Sequence, residues 1–193
     1  MKSFNQIVII CCIFGSLLVQ SCSNSSSSSA STSSDFNGFK MEKVSGNGME
    51  LASKMAPEGF VSDAGYVFGG KKNGMWNSYY EDGRPRIISN YIDGKLNGIY
   101  LEITMRGQIE LQAMYKNDQL DGHYAKYKFG RPIIESDYKN GKLDGIYKEY
   151  GNDGKVQKEV GFKNGLQDGK MRYFDENGNV TLEYEYKNGE KLN

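Results

Sequence analysis

From residue 67 onward, apolar and polar positions alternate in short runs, each bounded by a turn dipeptide. After Gly178, Val180, Leu182, Tyr184 and Tyr186 fall on one side and Thr181, Glu183 and Glu185 on the other. Ile109, Leu111, Ala113 and Tyr115 repeat the pattern against Glu110 and Gln112. A period of two marks half-buried β-strands. The bounding pairs Asn140-Gly141, Asn164-Gly165 and Asn188-Gly189 alternate with Asp82-Gly83, Asp153-Gly154 and Asn177-Gly178. Both kinds tolerate positive φ in a tight hairpin. The spacing predicts an antiparallel meander with strands of about eight or nine residues.

Glycine sets the ruler. Gly70, Gly83, Gly94 and Gly107 are separated by 13, 11 and 13 residues, and Gly141, Gly154, Gly165, Gly178 and Gly189 by 13, 11, 13 and 11. Asp118 stands where a glycine is expected, and one residue is missing before Gly130. The units are 43–66 (degenerate), 67–90, 91–114, 115–137, 138–161 and 162–185, with a partial unit 186–193. With Asn140-Gly141 as a two-residue loop, Tyr138 faces Leu143, Ser136 faces Gly145 and Ile134 faces Tyr147. The strand glycines Gly98, Gly122, Gly145 and Gly169 are expected on the apolar face, each with a neighbouring ring over its backbone. The odd spacing of Tyr100 and Ile103, Tyr124 and Tyr127, and Tyr147 and Tyr150 predicts a bulge or a second, partly covered face. Pro85 and Pro132 each stand two residues after a turn glycine, at a strand start that tolerates proline.

The expected fold is all-β: an elongated, curved antiparallel meander of double-hairpin repeats after a disordered N-terminus. About twelve strands at ~4.8 Å give a sheet nearly 60 Å long. Its apolar face of roughly a thousand Å² exceeds what monomers usually expose. The sheet must curl, pair with a copy or receive a partner.

The recurring element is aromatic-Lys-Asn-Gly-x-Leu-Asp-Gly-x-Tyr, clearest in Tyr138–Tyr147 and again from Phe162 to Met171. Over roughly 67–193 it resembles MORN-type repeats, in particular the short bacterial variant of YwqK-like antitoxin-family proteins. Trp76 is the chain's one tryptophan. The resemblance implies a β-hairpin array that binds partners or membranes, and no catalysis.

The amino terminus has a different grammar. Lys2 precedes an uncharged apolar run from Ile7 to Val19, shorter than the ~20 residues that span a bilayer. This predicts a signal peptide over 1–21. Leu18-Val19-Gln20-Ser21-Cys22 resembles the lipobox of bacterial lipoproteins, which implies cleavage between Ser21 and Cys22 and lipid attachment at Cys22. Cys11 and Cys12 would leave with the signal, so the mature chain keeps one thiol and no disulfide. Nine of the twelve residues from Ser23 to Ser34 are Ser, so 22–42 reads as a flexible tether with a reach of ~20 Å over its Ser-rich part.

Charge and residue chemistry narrow the function. With 24 Lys and Arg against 24 Asp and Glu, the chain lacks the basic excess of a nucleic-acid binder. His123 is the only histidine, and a zinc site would lack ligands. Asp121, Asp144 and Asp168 recur before the strand glycine, ~9.6 Å apart and too far to share an ion. Their expected role is turn hydrogen bonding. No phosphate loop, nucleophile elbow or nucleophile–base pair is present, so neither cofactor, metal nor enzyme activity is expected. The expectation is an exported, lipid-anchored envelope protein, at the outer membrane or cell surface, with the array binding a protein partner. The groove residues would be Tyr91, Tyr100, Tyr115, Tyr124, Tyr138 and Tyr147. An antitoxin or immunity-like module is the alternative that the family resemblance implies.

Overall fold

The computed structural model describes residues 36–44 and 46–192. The expected signal peptide, the Ser21–Cys22 cleavage and lipidation site and the Ser-rich stretch lie outside the described residues. Fifteen strands form one antiparallel sheet: β1 (Phe39–Lys43), β2 (Met49–Met55), β3 (Val61–Phe68), β4 (Lys71–Tyr79), β5 (Pro85–Ile92), β6 (Lys95–Ile103), β7 (Ile109–Lys116), β8 (Gln119–Lys128), β9 (Arg131–Lys139), β10 (Lys142–Leu143), β11 (Gly145–Tyr150), β12 (Val156–Lys163), β13 (Leu166–Phe174), β14 (Val180–Lys187) and β15 (Glu190–Lys191). Strand order follows chain order throughout, except that the short β10 pairs only with β9. The meander is therefore open, and more strands enter it than the twelve expected.

Two kinds of turn alternate, as the glycine ruler predicts. At the first margin the central residues both have positive φ: Asn140 at 48° and Gly141 at 77°, Asn164 at 51° and Gly165 at 85°. Asp118 keeps this geometry at φ 67°, which is why it can stand for glycine. At the second margin the loops are wider. Tyr80 N–H donates to Arg84 O (2.9 Å) and Gly83 N–H to Tyr80 O (2.9 Å), with positive φ at glycine alone. The missing residue before Gly130 turns one of these loops into a two-residue turn, with Phe129 forced to φ 53°.

Two irregularities recur. Near the second margin the strand that leaves the turn (β3, β5, β7, β9, β12 and β14) carries an extra residue: Glu149 pairs with Lys158 and Tyr150 with Val156, which leaves Gln157 over. Ser62, Arg86, Glu110, Ile133 and Thr181 are left over in the same way. The bulge lies on the partner strand, so the odd spacing itself sets Tyr147 and Tyr150 on opposite faces, the second, partly covered face that is the other expectation. It also corrects the uninterrupted alternation expected after the turn. Ile109 and Val180 pair with Ile103 and Phe174 and so lie on the opposite face from Leu111 and Leu182.

The second irregularity sits at the strand glycines. Tyr138 faces Leu143 as expected, but Ile134 faces Glu149 and not Tyr147. Gly145 adopts φ 140°, and Gly98 and Gly122 adopt 108° and 116°. The kink inserts two residues into the register, which moves Tyr147 opposite Ser136 and displaces Gly145. Glycine is required by this left-handed backbone. A Cβ at Gly122 would come within 3.0 Å of Met114 Cβ. Rings are the cross-strand partners, Tyr115 of Gly98, Tyr138 of Gly122 and Phe162 of Gly145, but the atoms nearest a Cβ there belong to Asn90, Met114 and Asp137, not to the ring expected over the backbone.

The densest packing lies at the first strands. Ala52, Val67 and Trp76 are buried together, with Phe36, Phe39, Met41 and Tyr91 packed against them. A Cβ on Gly65 would overlap the Trp76 indole, so glycine there is what lets the ring lie flat. β1 thus starts at Phe39, four residues before the expected first unit, because Phe36 and Phe39 supply the cover that Trp76 needs.

Candidate functional site

A row of cross-strand partners runs the length of the sheet on one face. Trp76 stands opposite Ser89, Ser89 opposite Tyr100, Tyr100 opposite Ala113, Ala113 opposite Tyr124 and Tyr124 opposite Ser136. The row continues through Tyr147, Val160, Met171 and Tyr184. From Trp76 to Tyr147 large and small residues alternate along it. Ala113 is fully buried and Ser136 is 2% exposed, because the flanking rings lean over them. Small residues on β5, β7 and β9 make room for large ones on β4, β6, β8 and β11.

The second aromatic of each unit lies diagonally beside the first. Tyr100 and Tyr115 meet edge to face at 5.8 Å between centroids, Tyr124 and Tyr138 at 5.7 Å, and Tyr147 and Phe162 at 6.3 Å. Such pairs contribute about 0.5–1.5 kcal/mol beyond area burial. At the first end Lys72 Nζ lies 4.5 Å above the Trp76 ring and 5.0 Å above Tyr91. The structure therefore brings Tyr91, Tyr100, Tyr115, Tyr124, Tyr138 and Tyr147 onto one face as a half-buried stripe. Sequence reasoning missed Trp76 and Phe162 as members. Trp76 lies one unit, 24 residues, before Tyr100, so the repeat itself carried that signal.

Packing shifts the acid–base behaviour of the rings. Burial, then a 3.0 Å hydrogen bond from Tyr100 to Glu102, pushes the Tyr100 hydroxyl up to about 12. Burial, then a hydrogen bond to Glu149, pushes Tyr147 up to about 12. Burial followed by the neighbouring Tyr124 raises Tyr115. On the opposite face burial and a hydrogen bond to Glu135 raise Tyr150. All of these groups stay neutral at physiological pH; the charges on the stripe's own face, Glu102, Lys126, Glu149 and Lys158, stand in the next row of cross-strand partners beside the rings.

The opposite face differs in its C-terminal half. Lys148 lies 3.7 Å from Glu159, Glu159 3.7 Å from Arg172, and Arg172 2.8 Å from Glu183, which also meets Lys170 at 2.8 Å. This ladder of alternating charge is solvated, and such pairs contribute little stability. Further toward the N-terminus the same face carries Ile88, Leu101, Gln112 and Ala125.

The recurring aspartates do their bonding between units. Asp121, Asp144 and Asp168 accept from the backbone N–H of Asn140 (2.9 Å), Asn164 (3.0 Å) and Asn188 (3.3 Å) in the next turn. The adjoining Gly141, Gly165 and Gly189 N–H groups donate back to Leu120, Leu143 and Gln167 carbonyls. Where Asn97 replaces the aspartate, the carboxylate has moved to the turn: Asp118 Oδ1 accepts from Leu96 N–H at 2.7 Å. These are turn bonds, as expected, but they join neighbouring repeats. His123 lies 3.4 Å from Asp137 on the exposed opposite face.

A cavity of about 150 Å³ opens among Asp63, Lys72, Trp76, Ser89, Tyr91 and Tyr100. Two larger ones, about 420 and 380 Å³, flank the exposed Phe129 at the second margin. Among the described residues no group of three or more His, Cys, Asp or Glu is placed to hold a metal ion. Nor is any helix there long and apolar enough to cross a membrane.

Residues 143–164 and 167–188 each match the family model described as a MORN repeat variant. The two matches begin 24 residues apart, in register with the structural repeat, and the chain carries MORN-type repeats there. No curated protein matches the chain. Among solved structures, a mutant of S. aureus TarM in complex with fondaparinux, alpha-GlcNAc-glycerol and UDP aligns at 15% identity and a TM-score of 0.35. The alignment covers 55% of this chain and 21% of that one.

Proposed function

We propose, from the MORN-type repeats and the stripe they build, that this chain is a non-enzymatic binding protein that captures a protein partner on its aromatic face. One observation carries the proposal. Rings contributed by successive units gather on one face and remain half exposed, in a form that costs little conformational entropy to use. Aromatic residues that are already packed edge to face are pre-ordered anchors.

In the same proposal the array is exported and held at a bacterial membrane by lipid on Cys22. The lipobox-like run before Cys22 and the Ser-rich stretch after it support this. Such a tether would keep the sheet near the membrane while leaving it free to turn.

Two experiments test the two halves separately. Cys22→Ala should abolish fatty-acid labelling and release the chain from membranes; persistent labelling would refute the anchor. Tyr124→Ala combined with Tyr147→Ala should weaken partner capture far more than Glu183→Ala on the opposite face. Equal losses would remove the aromatic face from the account.

A further inference from the structure

We infer that the aromatic face takes a proline-rich segment in the polyproline II conformation, laid across the strands with every third residue against the rings; this rests on the assignment of that face to partner binding. Tyr100, Tyr124 and Tyr147 stand in one row on β6, β8 and β11, every second strand along the sheet. They therefore recur about every 9.6 Å. A polyproline II segment rises ~3.1 Å per residue with three residues per turn, so one side of it recurs every ~9.3 Å. Over two intervals the two ladders drift apart by only about 0.6 Å.

The alternative extended form does not fit. Three residues of a β-strand also cover about 10 Å, but residues i and i+3 of a strand point to opposite sides. Only the threefold helix sets each third side chain on the same face.

The chemistry of the stripe agrees with its pitch. A polyproline II backbone has no internal hydrogen bonds and leaves its carbonyls open. Among the described residues the hydroxyls of Tyr115, Tyr124 and Tyr138 have no hydrogen-bond partner, so they are donors without an acceptor. Beneath them Ser136 Oγ is buried and also unpartnered. Lys126 shares a face with Tyr124, two residues along the same strand, and has no ion pair among the described residues. The segment should therefore carry a carboxylate opposite Lys126.

The chain itself shows what such a platform accepts. Phe36, which precedes β1 and lies outside any strand, seats its ring 5.9 Å from Trp76. Trp76 occupies the position of Tyr100 one unit earlier, so the first platform already holds an apolar ring from a non-strand segment.

The test uses the full chain and three synthetic peptides of about fifteen residues, five turns of the helix. One has Phe at every third position among prolines, with one Asp; the second has the same composition with its Phe residues crowded into one stretch at every second position; the third replaces Pro by Gly. Fluorescence anisotropy should give about tenfold tighter binding, 1.4 kcal/mol, for the first peptide than for the other two. That preference should vanish in Tyr124→Ala, and the affinity of the first peptide should fall in Lys126→Glu. Equal affinities, or no binding, would overturn the inference. So would a stable dimer of this chain whose stripe excludes the peptide. A photo-crosslinker placed at Tyr124 in cells separates the two levels. Capture there without any peptide preference overturns the inference and leaves the binding face standing, while absence of both removes both.

Discussion

Asp144 and Asn164 belong to successive repeats, and the carboxylate of the first accepts the backbone N–H of the second at 3.0 Å. Gly165 N–H returns a bond to Leu143 O at 2.7 Å. Each hairpin turn is thus clipped to the hairpin before it by one side-chain and one backbone bond. Stability in such an array is a sum of units and of the interfaces between them, and this clip is a repeated part of the interface term.

Asp144→Ala should therefore cost about 1 kcal/mol, the usual contribution of one such bond, or a few degrees in Tm. Asp144→Asn should recover much of it, because the amide oxygen can still accept. Thermal unfolding followed by circular dichroism measures both. An unchanged Tm in the alanine variant would mean that the clip contributes nothing.

The kinked glycines make a sharper prediction. Gly122 has φ 116° and Met114 Cβ only 3.0 Å from where a Cβ would stand, so Gly122→Ala should destabilise by about 2 kcal/mol or more. Gly46→Ala, in open space without positive φ, should change little. Urea unfolding of the pair compares them directly, and equal midpoints would contradict the strained register.

Trp76 is only 4% exposed and is the chain's single tryptophan, so its emission reports on one place. Phe36→Ala together with Phe39→Ala should shift that emission to the red and lower Tm, since both rings lie 5.9 Å from the indole. An unshifted spectrum would mean that these residues belong to the tether and not to the sheet.

The raised tyrosines predict alkaline behaviour. Tyr100 and Tyr147 ionise at about 12 in the fold against ~10 in an unfolded chain. A raised folded value contributes stability that is fully present below pH ~10 and is lost as pH climbs through the folded value. Absorbance titration should show a delayed phase that shrinks in Tyr147→Phe, with unfolding setting in between pH 10 and 12. A single phase at ~10 would contradict the packing of the stripe.

Much of this fold was legible because turn chemistry is local. Asn-Gly and Asp-Gly pairs announce hairpins, and Tyr138 opposite Leu143 follows from the two-residue loop alone. The pairing of Ile134 was not legible. Gly145 can be an ordinary strand residue or a left-handed kink, and only the packing of Asp137 and the next unit's Phe162 selects the kink. The odd spacing of rings marked a second, partly covered face, whereas the bulge in the partner strand was not visible in that spacing. The stripe's six tyrosines could be named from phase, since a shift of two residues preserves the face. Phe36 and Phe39 were invisible in a stretch read as tether, because nothing local says that a buried tryptophan forty residues away needs a lid.

The most direct measurement uses two adjacent positions on β8 that point to opposite faces. A photo-crosslinking residue at Tyr124, on the stripe, should capture a partner in cells. The same residue at His123, on the other face, should capture little or nothing. Equal capture at both positions, or capture at His123 alone, would contradict the claim that the aromatic face is where this protein binds.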